Sequence, residues 1–221
     1  MKKRSFVVLG LGIFGSTICK NLVQNGFEVI AIDSDEESVE RVAKLGADAY
    51  QADFTNIESL KAIGLEDIDM AIVATGSHLE DSVIAIINLK ELGIPYILAK
   101  AKNKKYMEVL LKVGADRVIR PEKEMGERIA KQLTSPKIVD LFEIDDEFSI
   151  MEIKVPEQFV NKNVIQLDLR KKYNINVLGV RHHGTGRLDV NLGPNYNFLP
   201  DDIIVLIANR NFYHNLAKEE D

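Results

Sequence analysis

The stretch Val7–Glu37, "VVLGLGIFGSTICKNLVQNGFEVIAIDSDEE", decides how the rest of the chain is read. An apolar run breaks into Gly10, Gly12 and Gly15, a helical pattern follows, and a second apolar run closes on a single acid, Asp33. The glycines form a G-x-G-x-x-G set between a strand and a helix. Asp33 lies 18 residues after Gly15, near the spacing of about 20 expected in a dinucleotide-binding βαβ unit. In such a unit Gly10 makes the tight turn, Gly12 lets phosphates approach the backbone, and Gly15 lets helix and strand pack closely. Unpaired N–H groups at the helix start then face the phosphates. The Asp33 carboxylate would accept hydrogen bonds from ribose hydroxyls and repel a 2′-phosphate, which disfavours NADP. The alternative is a glycine turn needed for packing alone, with Asp33 solvated.

Working outward, the same rhythm continues to about Arg120. Apolar runs recur at "FVVLG", "EVIAID", "DAYQAD", "MAIVAT", "YILAKA" and "RVIRP". Between them, helical patterns stop at Gly26, Gly46, Gly93 and Gly114, glycine being the residue that most readily closes a helix in the left-handed conformation. Near-continuous apolar strands alternating with helices imply a parallel sheet covered on both faces. Six strands with a glycine turn after the first predict an α/β, Rossmann-like doubly wound fold.

After Glu122 the pattern changes. "PEKEMGERIAKQLTSPKIVDLFEI" reads as one amphipathic helix that starts beside Pro121 and fades at "TSP", where Pro136 breaks or kinks it. "FSIMEIKV", "INVLGVRHH" and "DIIVLIAN" read as strands, "NKNVIQLDLRKKYN" as a short helix, and "GTGRLDVNLGPNYNFLPDD" as turns. The boundary is placed between Ser135 and Asp140, giving a nucleotide-binding domain with linker helix over 1–135 and a small α+β domain over 140–221. That second unit is too short and strand-rich for the substrate domain of a typical dehydrogenase.

Composition excludes several classes. The 221 residues are 46% hydrophobic and 28% charged, with a formal net charge of −6. This describes an ordinary globular chain able to bury a core, and one whose charge does not favour nucleic acid or an anionic membrane surface. The single cysteine, Cys19, cannot form an intramolecular disulfide and fits a reducing cytoplasm. The basic, apolar start "MKKRSFVVLGLGIFG" superficially resembles a signal peptide, but it is short and glycine-broken and reads as the first strand. No run approaches the roughly 20 apolar residues that span a bilayer.

The combination "VVLGLGIFG", "AIDSDEESV", "QADFTN", "AIVATG", "LAKAKN" and "KVGADRVIRPEKEMG" resembles the N-terminal RCK (regulator of K+ conductance, or KTN) domain. "NVIQLDLRKKYNINVLGVRHHG…LPDDIIVLIA" is similar to the RCK C-terminal domain. Together they cover nearly the whole chain, in the order found in cytosolic gating subunits of Ktr/Trk-type bacterial potassium uptake systems. The resemblance implies a non-enzyme, at the inner face of the cell membrane through a potassium-translocating partner subunit. It also implies homodimers that assemble into a ring, commonly an octamer, whose shape changes when ATP, ADP or NAD(H) binds.

What the family uses for binding falls on particular residues here. The phosphate turn would be Gly10, Gly12, Ile13, Phe14 and Gly15, and Asp33 with Ser34 would meet the ribose. Asp53 and Phe54 would lie near the adenine, Ala74, Thr75 and Gly76 would line the cleft, and Lys100 with Ala101 would end the fifth strand. Ktr subunits commonly have arginine where Ile13 stands, reaching a neighbouring subunit's nucleotide phosphate; isoleucine cannot do this. Glu122 would support Mg²⁺ or Ca²⁺ near the phosphates at a dimer interface, or else serve as an ordinary helix-start acid. A second ligand, cyclic di-AMP, would sit across paired C-domains. Val164 and Ile165 would cover its adenines and Arg170 would meet a phosphate, with Asp168, Asn176 and Val177 completing the pocket; the alternative is an amphipathic helix whose apolar residues only dimerise the domain, with Arg170 in a surface ion pair.

Other residues support plainer readings. Adjacent His182 and His183 suit a strand end better than a shared metal site, and His78 in "ATGSHLEDS" is read as a loop histidine beside the ligand. The competing reading is a small NAD-dependent oxidoreductase; against it, no Ser-x-x-x-x-Tyr-x-x-x-Lys pattern occurs. A nucleotide-sensing module of another transporter is the third.

Overall fold

The computed structural model describes residues 4–76, 78–133, 137–209 and 212. The chain divides into two compact units, Met1–Lys123 and Glu124–Asp221.

The first unit contains β1 (Ser5–Leu9), α1 (Ile13–Gln24), β2 (Glu28–Asp33), α2 (Glu36–Ala43), β3 (Asp48–Gln51), α3 (Ile57–Ile63), β4 (Met70–Val73), α4 (Leu79–Glu91), β5 (Ile97–Lys100), α5 (Lys104–Lys112) and β6 (Arg117–Ile119). Its strands form one parallel sheet in the order β3-β2-β1-β4-β5-β6. The order reverses between β1 and β4, which opens a crevice beyond their carboxyl ends. Alternate residues of the strands feed two cores. Val7, Leu9, Ile32, Val73 and Ile97 pack with Leu60, Ile86 and Leu110 on one face; Phe6, Val8, Ala31 and Ile72 pack with Cys19 and Val42 on the other. Each such fully buried aliphatic contributes about 1.5–3 kcal/mol. Burial pushes the Cys19 thiol up to about 12, so it stays protonated and unreactive. The helices that stop at Gly26, Gly46, Gly93 and Gly114 do so with positive φ at each glycine. Asp35, Asn56 and Asn103 cap α2, α3 and α5 by accepting backbone N–H bonds.

In the second unit an antiparallel sheet runs β10-β9-β11-β8-β7. It comprises β7 (Ile138–Glu143), β8 (Phe148–Lys154), β9 (Asn176–Arg181), β10 (Leu188–Asp189) and β11 (Ile203–Asn209), with α7 (Val164–Leu167) and α8 (Leu169–Tyr173) between β8 and β9. Met151, Ile153, Phe159, Val180, Phe198, Ile204 and Leu206 form its core. α6 (Pro121–Leu133) spans the division: all but its first turn belongs with the second unit, so the compact boundary falls earlier than the 135–140 expected. Within that unit Arg128 Nε and Nη2 donate to the two carboxylate oxygens of Asp140 at 3.0 and 2.5 Å, and Lys131 pairs with Glu143, tying α6 to β7.

Two local readings need correction. Residues 138–143 are a strand. A register shift between Ile138 and Asp140 turns Ile138 and Leu141 toward the same core, and that spacing of three imitates a helix in sequence. The expected single helix near residue 164 is two, broken where Asp168 takes φ 47°; Asp is one of the few non-glycine residues that tolerate this conformation. Pro136, Thr134 and Ser135 lie outside the described residues.

Candidate functional site

Three glycines that look alike in sequence do different work at the crevice. Gly10 follows β1 with φ 92°, its N–H bonded to Ile32 O at 2.9 Å, and a Cβ there would stand 3.0 Å from Thr75 N. A Cβ on Gly15 would lie 1.9 Å from Gly10 O and 3.1 Å from Ala74 Cβ. Glycine is therefore required at 15 by packing of α1 against the turn. Gly12, the N-cap of α1, has nothing within 4 Å of its Cβ position and takes φ −62°, a value open to any residue. The protein itself does not require glycine at 12. The first turn of α1 carries no acid, and the N–H groups there have no partner within the helix. Ile13 is 91% exposed at this edge, and Phe14 packs partly buried against the core.

Asp33 is wired into the same turn. Its Oδ2 accepts the Leu11 N–H at 2.5 Å and its Oδ1 accepts the Asp35 N–H at 3.0 Å. Each oxygen has a further lone pair, so both can still accept from a diol. Ser34 is held through its carbonyl by Gln51 Nε2 at 3.1 Å. Arg41, which sequence reading passed over, donates from α2 to Leu11 O at 3.2 Å and to Ser38 Oγ at 2.8 Å. Its only sequence signal is its position on the face of α2 that returns toward the turn.

At the far side of the crevice Ala74 continues β4, its N–H bonded to Leu9 O at 2.8 Å. Lys100 ends β5 with its side chain 17% exposed. Its stem passes within 3.5 Å of the Cβ position of Gly76, and its Nζ lies 5.8 Å from the centroid of the Phe14 ring. The same Nζ is 2.5 Å from Glu122 Oε1, a carboxylate in the first turn of α6 whose side chain is 67% exposed. The hydrogen bond from Lys100 holds the Glu122 carboxyl below the usual carboxylate range. Ala101 is buried and bonds Ile119 O, as a structural continuation of β5. Asp53 spends its Oδ1 on its own turn, accepting Thr55 N–H and Oγ1–H at 2.8 and 2.6 Å. The Phe54 carbonyl accepts from Asn88 Nδ2 at 3.4 Å. His78 is the N-cap of α4 without a side-chain cap bond.

Around Glu122 no set of ligands forms: among the described residues no three His, Cys, Asp or Glu converge. The same holds for His182 and His183. His182 Nδ1 lies 3.2 Å from Tyr196 Oη, and that hydroxyl donates to Asp202 at 2.5 Å, a carboxylate 1% exposed. His183 is exposed.

In the second unit Val164 and Val177 line one cavity of about 120 Å³ with Leu192, Tyr196 and Phe198. Arg170 Nε donates to Asn176 Oδ1 at 3.0 Å. Ile165 is exposed. Asp168 serves the backbone: its N–H bonds Ile165 O, and its carbonyl accepts from Lys171 and Lys172.

A doubly wound sheet with a glycine turn and an acid closing β2, followed by a small antiparallel unit, defines a nucleotide-fold module with an appended α+β domain. Residues 6–121 match the TrkA-N domain and residues 150–219 the TrkA-C domain. The chain is 39% identical over 204 residues to Ktr system potassium uptake protein A of Bacillus subtilis, covering 92% of this chain and 88% of that one. It is also 39% identical over 179 residues to Ktr system potassium uptake protein C of the same organism, covering 81% of each. The fold aligns with the GsuK channel bound to NAD at a TM-score of 0.67 and 15% identity, over 97% of this chain and 39% of that chain. The chain belongs to the TrkA-N/TrkA-C family that includes the Ktr system potassium uptake proteins. Among the described residues no helix is long and apolar enough to cross a membrane.

Proposed function

We propose that this chain is the cytosolic regulatory subunit of a potassium uptake system, and that it binds ATP, ADP or NAD(H) in the crevice of its first unit as a signal. The observation that carries the nucleotide reading is Gly12: the packing around it would admit a side chain, so its lack of one is explained by a ligand approaching the backbone. The likeness to the Ktr proteins over most of both chains supports the partner, a membrane potassium-translocating subunit. When bound, a nucleotide supplies phosphate charge and a ribose diol. The start of α1 receives the phosphates, Asp33 accepts the ribose hydroxyls, and Lys100 provides a cation across the crevice. Gating requires two states with unequal nucleotide affinity, since equal affinity shifts no equilibrium. We place that change in a ring of dimers, an octamer by family resemblance. Glu122 would bind Mg²⁺ or Ca²⁺ only with ligands from a second copy. Cyclic di-AMP would use the Val164–Val177 cavity together with Ile165, Asp168, Arg170 and Asn176.

The test is calorimetry of ATP, ADP and NADH on the full chain and on Asp33→Ala. Loss of charge-assisted hydrogen bonds, about 1.5–3 kcal/mol, should weaken all three roughly ten- to a hundredfold. Unchanged affinity for all three would remove Asp33 from the site. Steady oxidation of NADH with a carbonyl substrate would replace the regulatory reading with the oxidoreductase one.

A further inference from the structure

Lys100 and Glu122 form an ion pair along the crevice wall, and its geometry sets a competition. The Lys100 side chain is 17% exposed, its stem runs over Gly76, and its Nζ lies 5.8 Å from the centroid of the Phe14 ring. Any phosphate reaching this side of the crevice meets an ammonium already engaged by a carboxylate at 2.5 Å. Glu122 stands three residues after Ile119, the end of β6, on the first turn of α6, where the helix dipole also favours an acid. The carboxylate is therefore stabilised with or without Lys100, while the confined ammonium needs an anion.

We propose that Glu122 is a built-in competitor for Lys100: it occupies the cation until a ligand phosphate takes its place, and so makes nucleotide affinity depend on phosphate number and couples it to the first turn of α6. This rests on the nucleotide reading of the crevice. Adenosine, which carries no phosphate, does not engage the pair. Each added phosphate brings more charge to Lys100 and more repulsion onto Glu122, so the carboxylate sets how much of the gain from AMP to ADP to ATP is realised. Displacing Glu122 frees the start of the helix that leads into the second unit, which makes this pair a device for passing ligand state along the chain.

The experiment is calorimetry of the full chain with adenosine, AMP, ADP and ATP in chelator, so that no divalent cation bridges the anions. Glu122→Gln removes the charge and keeps the shape. It should tighten ADP and ATP by roughly two- to fivefold, a modest factor because Glu122 is two-thirds exposed and its attraction is screened. Adenosine should be unchanged. Lys100→Met keeps the stem over Gly76 and should flatten the rise from AMP to ATP. In the Lys100→Met background, Glu122→Gln should gain markedly less, only what direct carboxylate–phosphate repulsion contributes. Unaltered or weaker ADP and ATP binding in Glu122→Gln overturns the competition, as does a gain of the same size without Lys100. If the wild type binds none of the four ligands, the nucleotide reading itself fails; if it binds them normally and Glu122→Gln changes nothing, the competition alone fails.

Discussion

Replacing Gly12 and Gly15 by alanine should separate folding from binding within a single motif. At position 15 the new methyl would stand 1.9 Å from Gly10 O, more than 1 Å inside the 3.0 Å limit that real Cβ atoms observe. The obstacle is backbone, held by the Gly10 N–H bond to Ile32 O at 2.9 Å, and it cannot rotate away as a side chain would. Overpacking of this kind costs about 3 kcal/mol, offset by up to about 1 kcal/mol from the better helix propensity of alanine. A net loss of about 2 kcal/mol lowers the melting temperature of a unit this size by roughly 8 °C. At position 12 the methyl meets nothing within 4 Å, and the cost is that of alanine at an N-cap, about 1 kcal/mol or less. Gly12→Ala should therefore melt within about 4 °C of wild type yet lose at least about tenfold in nucleotide affinity, because the methyl occupies the path of the phosphates. Thermal melts by circular dichroism and calorimetric titration give the two readouts. If Gly12→Ala melts lower than Gly15→Ala, or binds nucleotide as wild type does, the division of roles among these glycines is wrong.

Two further outcomes concern the second unit. Asp140 has its carboxyl held below the ordinary range, chiefly by Arg128 and further by Gln132 and the Leu141 N–H. A depressed folded value means that its stabilisation is present above the unfolded carboxylate range and is lost as pH falls through the folded value. Asp140→Asn should therefore lower stability at pH 7 by about 1 kcal/mol, a figure limited by partial exposure of both partners. Denaturant titrations should show this difference from wild type shrinking below about pH 4; a difference independent of pH would show that the charge is irrelevant. Arg170→Ala should abolish any cyclic di-AMP binding by the full chain while leaving its ATP affinity unchanged. Wild-type protein that shows no heat at tens of micromolar ligand would remove the dinucleotide from consideration.

Most of what is local was legible in the sequence. The strand–glycine–helix passage, the helix stops and the acid closing β2 each depend on residues within one turn or one strand, so their chemistry is written in order along the chain. The doubly wound parallel class followed as well, because parallel strands joined by helices admit few right-handed solutions; the order 3-2-1-4-5-6 itself is a finding of the structure. What failed in sequence failed where a neighbour changes the period. The register shift in β7 gives a strand the spacing of a helix, and the left-handed turn at Asp168 divides a helix that looks continuous. Sequence also cannot distinguish equal letters: Gly12 and Gly15 differ only in what stands beside their missing side chains. That Asp53 Oδ1 closes its own turn on Thr55 is likewise seen only in the folded chain. Arg41 reaches the glycine turn from 30 residues away, and Lys100 meets Glu122 only because β5 and β6 lie side by side, bringing the end of β5 to the start of α6. Those pairings belong to the tertiary structure, because a charge finds its partner through space, and which carboxylate stands 2.5 Å from an ammonium is decided by how the strands are ordered in the sheet.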